Sequence, residues 1–94
     1  MSLWEKACSL LPGGVNSPVR AFGSVGGNPV FMEKAKGPYL YDSEGNELVD
    51  LVLSFGPMIL GHSQKDVITS LEKQLEYGLS FGACTSKEVE LAQV

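Results

Sequence analysis

Apolar positions at the start of the chain recur with the spacing of a helix. Between residues 2 and 11 they form a broad stripe. Ser2 and Glu5 have the spacing of a capping box, in which each side chain satisfies a backbone N–H group at a helix start. The Pro-Gly-Gly sequence at 12–14 stops such a helix. The pattern therefore predicts an N-terminal helix over residues 2–11.

No regular period is present in the next segment, residues 15–28, which is rich in glycine and proline. A loop of this length inside a small domain is usually functional or disordered. We therefore predict a long irregular loop here.

Three short runs of strand-forming residues follow and predict an antiparallel meander. Gly45, within a turn at residues 43–46, offers the positive φ that a tight turn requires. The third run is almost continuously apolar, which indicates burial on both faces of the sheet. The predicted strands cover residues 30–35, 39–42 and 47–53.

Two helices are predicted in the last third of the chain. Ser63 is expected to cap the first, over residues 63–77, because apolar positions then recur on one face until a glycine. Thr85 and Glu88 repeat the capping-box spacing and begin the second, whose pattern is still unfinished at Val94.

Together these elements predict an α+β fold made of an N-terminal helix, a long loop, a three-stranded antiparallel meander and two helices. The chain, residues 1–94, forms a single segment without internal repeats. Because the last helical pattern stops unfinished, we expect a fragment of a longer protein.

Composition and charge exclude several classes of function. The net charge is −4 and no basic stripe is present, so nucleic-acid binding is not expected. The apolar stretches are too short for a membrane span, and the N-terminus has no signal-peptide pattern, so we expect a cytoplasmic protein. Cys8 and Cys84 are far apart and show no metal-ligand spacing, which favours free thiols and no metal site.

Arg20, the only arginine, is the first candidate for chemistry. A guanidinium group can hold a carboxylate or phosphate through two parallel hydrogen bonds, and Asn16 and Ser17 add neutral hydrogen-bonding groups nearby. From the residues alone, a surface arginine paired with an acidic side chain is favoured over an anion-binding loop. The reason is that the surrounding glycines match no general phosphate-binding pattern.

Two aromatic residues are weaker candidates. His62, the only histidine, follows a glycine and has no partner that the sequence identifies, so a structural role is favoured over acid–base chemistry. Phe55 follows the apolar third run and precedes Gly56, a position suited to the mouth of a pocket. The residues by themselves therefore indicate an α+β domain with functional loops.

Four blocks of the sequence resemble the glutamate-1-semialdehyde 2,1-aminomutase family of class III aminotransferases, in the family's order. The first and third blocks separate this family from ordinary class III transaminases. The blocks are residues 11–22 (LPGGVNSPVRAF), the YLYD sequence at 39–42 with Gly45 and Asp50, residues 56–62 (GPMILGH), and residues 78–83 (GLSFGA) with Thr85.

This resemblance implies the N-terminal portion of a homodimeric, pyridoxal-phosphate-dependent isomerase of fold type I. Such an enzyme converts glutamate-1-semialdehyde to 5-aminolevulinate in tetrapyrrole (porphyrin) biosynthesis. By the same resemblance, Arg20 holds the substrate carboxylate with Ser17 beside it, and Phe55 stands where the family typically has a tryptophan in the substrate pocket. Phenylalanine keeps an aromatic wall but lacks the indole N–H donor.

The resemblance also implies which groups the chain lacks. The Schiff-base lysine, the aspartate facing the pyridine nitrogen and the phosphate-binding loop of the family lie outside these residues. We therefore expect no catalytic residue, no bound cofactor and no activity in the isolated chain, and self-association through exposed apolar surface. Two alternatives stay open: a non-catalytic module that binds a small carboxylate or a partner chain, and the front end of another class III aminotransferase.

Overall fold

A computed structural model describes all residues, 1–94, as three helices and a three-stranded antiparallel sheet. The predicted α+β fold is therefore confirmed. The helices are α1 (Leu3–Leu10), α2 (Lys65–Leu75) and α3 (Ser86–Ala92), and the strands are β1 (Met32–Lys36), β2 (Tyr39–Asp42) and β3 (Glu47–Val49). Short 3-10 turns cover Pro12–Gly14, Pro18–Ala21 and Leu53–Phe55. The last two interrupt segments without regular structure.

Helix α1 begins where its capping box predicts. The Ser2 hydroxyl oxygen accepts from the Glu5 N–H at 3.2 Å, and the Glu5 carboxylate accepts from the Ser2 N–H at 2.6 Å. The helix ends at Leu10, where the chain turns through the Pro-Gly-Gly sequence with Gly13 at φ +67°. The predicted N-terminal helix is confirmed.

The sheet has the order β1-β2-β3, and β2 coincides with its predicted range. Strand β1 begins two residues later than predicted and extends one residue further. The turn after β2 is held by Asp42, whose carboxylate accepts from the backbone N–H groups of Glu44 and Asn46 and from the Asn46 side chain. These hydrogen bonds hold the pKa of Asp42 below its usual value, and the bond from the Asn46 side chain has the largest effect. Gly45 supplies the expected positive φ, +88°.

The third strand is shorter than predicted and exposed. It ends at Val49 because the Asp50 carboxylate accepts from the backbone N–H groups of Val52 and Leu53, which turns the chain out of the sheet. The prediction of a strand to residue 53, buried on both faces, was wrong: Leu51 is 88% exposed.

The N-cap of α2 also differs from the prediction. Gln64 caps the helix through its side-chain oxygen, which accepts from the Val67 N–H at 2.8 Å. Ser63 instead donates its hydroxyl to the Ala35 carbonyl at 2.9 Å and ties the loop to β1. Helix α3 begins as predicted, because the Glu88 carboxylate accepts from the Thr85 N–H at 2.6 Å.

The chain has no hydrophobic core of its own. Its radius of gyration is 17.4 Å, whereas a compact domain of this length measures about 12 Å. Its accessible surface is 7983 Å², against about 5300 Å² for a compact protein of this mass. No hydrophobic residue is buried, and the apolar faces of the helices lie open. Self-association stays a prediction that this surface supports.

Two further features bear on the exclusions made from the sequence. None of the three helices combines the length and the hydrophobicity that a membrane crossing requires. Cys8 and Cys84 are both free and exposed, so the predicted free thiols are confirmed.

Candidate functional site

Arg20 lies in the 3-10 turn Pro18–Ala21, which Ser17 precedes and Pro18 begins. Proline suits the first position of such a turn because its φ is preset and it has no N–H group to leave unpaired. The Arg20 N–H donates to the Ser17 carbonyl at 3.0 Å, and its Nη1 donates to Asn16 Oδ1 at 2.9 Å. Helical geometry therefore fixes the backbone, and a neutral amide fixes one edge of the guanidinium.

Arg20 takes part in neither of the two salt bridges of the structure, so within residues 1–94 it is not paired with an acidic side chain. The Asn16 amide oxygen accepts from only one of the five N–H donors of the Arg20 guanidinium. The remaining donors make no hydrogen bond within the chain, and the side chain is exposed. This arrangement is chemically suited to binding an external carboxylate.

The Arg20 turn is supported by a close contact between α1 and Gly14. A Cβ atom at Gly14 would lie 2.5 Å from Trp4 Cζ3 and 2.9 Å from Cys8 Sγ. Gly14 also has φ +76°, a conformation that side chains disfavour. Only glycine allows the turn at Pro12–Gly14 to pack on α1, and this turn in turn contacts the one that carries Arg20.

Phe55 lies at the end of a strained turn. Leu53, Ser54 and Phe55 have φ values of +53°, +52° and +62°, and each such non-glycine residue costs about 1–3 kcal/mol. The Phe55 side chain is 84% exposed. The turn makes no contact with the Pro18–Ala21 turn, so the chain by itself does not bring Phe55 and Arg20 together.

A hydrogen-bonded pair that the sequence did not reveal lies next to the Phe55 turn. The Nε2 atom of His62 is 2.5 Å from Asp50 Oδ2, and the two side chains are 12% and 4% exposed. The hydrogen bond from His62, followed by those from the Leu53 and Val52 N–H groups, holds the pKa of Asp50 below its usual value. The ionised carboxylate only accepts hydrogen bonds, so His62 donates through Nε2–H.

The structural role predicted for His62 agrees with this arrangement. The partner could not be identified from the sequence, because the two residues are twelve apart and no local spacing rule joins them. The signal that could have found them is their presence in two different blocks of the family resemblance.

All six lysines are exposed: Lys6, Lys34, Lys36, Lys65, Lys73 and Lys87. Lys34 lies over the Tyr41 ring at 4.7 Å, and Lys87 pairs with Glu90 at 2.9 Å. A lysine that forms a Schiff base is typically desolvated or next to another cation. In residues 1–94 by themselves, no lysine is desolvated in this way. No group of acidic, histidine and cysteine side chains could hold a metal ion.

The class-III aminotransferase family model matches residues 22–93. A glutamate-1-semialdehyde 2,1-aminomutase of Thermodesulfovibrio yellowstonii is 57% identical over 90 residues, which is 96% of this chain and 21% of the relative. An omega-transaminase structure from Sphaerobacter thermophilus superposes with a TM-score of 0.83 at 30% identity, over 97% of this chain and 20% of that one. A transaminase structure with pyridoxal phosphate bound gives a TM-score of 0.81 at 30% identity, over 97% and 21%. This chain spans about a fifth of the length of each relative.

Proposed function

Since this chain belongs to the class-III aminotransferase family, we propose that it forms the substrate-side N-terminal portion of an aminomutase. The enzyme converts glutamate-1-semialdehyde to 5-aminolevulinate in tetrapyrrole biosynthesis. One observation carries this proposal. Arg20 presents free guanidinium donors, and it lies two residues before the segment matched by the general family model but inside the match to the aminomutase relative.

Arg20 binds the carboxylate of the substrate in this proposal. A carboxylate needs a planar pair of donors, and Asn16 already orients the guanidinium from one edge. Ser17 lies beside it and is half-buried, so its hydroxyl offers one further hydrogen bond. The charge and direction of these donors select a substrate with a negatively charged end.

Phe55 forms an aromatic wall of the substrate pocket. In the isolated chain the ring is exposed, and it becomes useful only where the rest of the enzyme faces it. An aromatic ring excludes water from the reacting groups but provides no hydrogen bond. Phe55 therefore shapes the pocket, and Arg20 supplies the charge.

Pyridoxal phosphate is the cofactor of this enzyme, and it supplies the electron sink for moving the amino group. We place its covalent and phosphate-binding residues outside residues 1–94, because no lysine of this chain lies in a motif that resembles the family's Schiff-base site. The chain alone is then inactive and carries no catalytic residue. The complete enzyme is a cytoplasmic homodimer.

The test uses a chimera in which residues 1–94 replace the matching segment of the Thermodesulfovibrio yellowstonii relative. We expect the chimera to form 5-aminolevulinate from glutamate-1-semialdehyde. Arg20→Ala should lower kcat/KM by about 30- to 900-fold, equivalent to 2–4 kcal/mol, because a charged hydrogen bond is lost in a partly desolvated site.

Two matched variants sharpen this test. Arg20→Lys keeps the charge but loses the planar fork, so its kcat/KM should lie between those of Arg20→Ala and the unmodified chimera. Lys73→Ala removes an exposed cation from α2 and should leave the rate unchanged. A chimera without aminomutase activity, or an Arg20→Ala variant with unchanged kinetics, would contradict the proposal. Preference for ordinary amino donors would instead favour another class III aminotransferase.

A further inference from the structure

Asp50 and His62 form the best-protected pair of ionisable side chains in a chain that buries no hydrophobic residue. Their side chains are 4% and 12% exposed. Burying a carboxylate is unfavourable unless its oxygens are hydrogen-bonded, and here both oxygens are. Such a protected pair in an otherwise open structure indicates that its geometry has a role beyond the local turn.

The two carboxylate oxygens of Asp50 hold different parts of the chain. Oδ1 accepts from the Val52 and Leu53 N–H groups at 2.8 and 3.0 Å, which fixes the start of the strained turn. Oδ2 pairs with His62, at the far end of the segment. One side chain therefore closes the whole loop between residues 50 and 62.

Both ends of this loop are also bonded to the hairpin between β1 and β2. The Asp50 N–H donates to the Pro38 carbonyl at 2.8 Å. Gly37 and His62 exchange backbone hydrogen bonds of 2.8 and 2.9 Å. A Cβ atom at Gly61 would lie 3.2 Å from the Gly37 carbonyl oxygen, so glycine permits this close approach.

Within residues 51–61 every other backbone hydrogen bond is local. The bonds run from Phe55 to Val52, from Gly56 and Met58 to Leu53, and from Gly61 to Met58. None of them ties the segment to the sheet. The position of Phe55 relative to the sheet therefore depends on the anchored ends, which Asp50 joins.

We propose that the Asp50–His62 pair is a positioning device that holds the Phe55 ring at the substrate pocket. Asp50 and His62 act through Phe55 and do not touch the substrate. This inference rests on the proposed function, because the placement of Phe55 affects turnover only if the ring lines that pocket.

A double-mutant cycle in the chimera tests this inference. Asp50→Ala should lower kcat/KM by about ten- to a hundredfold in the presence of Phe55, since small misplacements in a site have effects of this size. In a Phe55→Ala background the same substitution should change kcat/KM by less than about threefold, because its target is already absent. A residue with a purely structural role would give the same loss in both backgrounds.

Asp50→Asn serves as the conservative variant. Asparagine keeps an oxygen that accepts from Val52 and Leu53, and its amide N–H donates to the other tautomer of His62. This variant should retain kcat/KM within about threefold of the unmodified chimera. If Asp50→Asn lowers kcat/KM as much as Asp50→Ala does, the positioning role assigned to these hydrogen bonds is overturned.

Further outcomes keep the test decisive. If Asp50→Ala does not fold, His62→Leu replaces it in the cycle, because that change removes the pair but keeps both backbone caps. Equal losses in both backgrounds, or a Phe55→Ala variant with unchanged kinetics, would overturn the inference. Arg20→Ala is measured in the same series: if it alone is silent, the proposed carboxylate site fails while the cycle still reports on Phe55.

Discussion

The Arg20 turn and the Phe55 turn carry the two candidate site residues but are held in different ways. The Arg20 turn is exposed, and its guanidinium has one intramolecular partner, the neutral Asn16 amide. The Phe55 turn contains three consecutive left-handed residues and is anchored by a protected carboxylate with three hydrogen-bond donors. The residue with the clearest sequence signature is thus the more loosely fixed of the two.

This difference follows from what each residue does. A guanidinium that binds an external anion must keep donors free, so extensive internal pairing would oppose its role. A phenylalanine ring provides no directional bond, and its contribution depends on where the backbone holds it. Polar side-chain contacts therefore hold the backbone next to Phe55, whereas the Arg20 guanidinium keeps most of its donors free.

Among the substitutions that test this comparison, Gly14→Ala should have the largest effect, because it removes the contact that supports the Arg20 turn. The new methyl group would overlap Trp4 and Cys8 and force a positive φ on alanine, so we expect a loss of about 2–5 kcal/mol in unfolding free energy. Gly13→Ala is the matched control, because it has φ +67° but open space, and should cost about 1–2 kcal/mol. Urea unfolding of the chimera, followed by far-UV circular dichroism, measures both. Equal losses would mean that the Gly14 contact does not support the Arg20 turn.

Acidification should destabilise the Phe55 turn and leave the Arg20 turn unaffected. The depressed pKa of Asp50 means that its stabilisation is complete above the unfolded value of about 3.9 and is lost as the pH falls through the lower folded value. The Leu53 N–H donates a hydrogen bond to the Asp50 carboxylate, so it should lose its protection against hydrogen exchange below about pH 4. The amide of Arg20, bonded to a backbone carbonyl, has no carboxylate partner and should not respond in this way.

Amide hydrogen exchange by NMR, corrected for the intrinsic pH dependence of exchange, makes this comparison within one sample. The Asp50→Asn variant should abolish the difference between the two amides. Protection at Leu53 that persists unchanged through pH 2, or rises on acidification, would contradict the assigned hydrogen bonds.

The smallest expected effect is that of Asn16→Ala. Removing the amide frees the guanidinium but leaves its charge, so KM for glutamate-1-semialdehyde in the chimera should rise by about two- to tenfold, equivalent to about 0.4–1.4 kcal/mol. Asn28→Ala, an exposed residue of the same irregular segment, is the control and should leave KM unchanged. An unchanged KM for Asn16→Ala would show that the Arg20 turn needs no side-chain anchor.

Several features were predictable because they are encoded within a few residues. The cap of α1 and the turn at Gly45 depend on side-chain hydrogen bonds between residues at most four apart. The strand at Tyr39–Asp42 was marked by a contiguous run of strand-forming residues. The block that contains Arg20 could be identified in the same way, because its family resemblance rests on a contiguous sequence motif. Local signals of this kind survive without knowledge of the fold.

Other features depended on contacts between distant parts of the chain. The apolar run at residues 48–53 resembled a buried strand, yet the strand ends at Val49, where Asp50 bonds to the distant residues Pro38 and His62. Ser63 resembled a helix cap, yet the nearby edge of β1 offered its hydroxyl the Ala35 carbonyl. In both cases a hydrogen-bond partner supplied by folding competed successfully with the local preference.

The sequence by itself thus determined the helix and turn signals, the α+β class and the family to which the loops point. Only the tertiary structure decided that His62 pairs with Asp50, because the hairpin at Gly37 and Pro38 must first bring the ends of the loop together. It also decided that the apolar runs remain exposed. Hydrophobic periodicity reports which faces favour burial, whereas burial itself requires a second surface, and residues 1–94 do not provide one for their own helices.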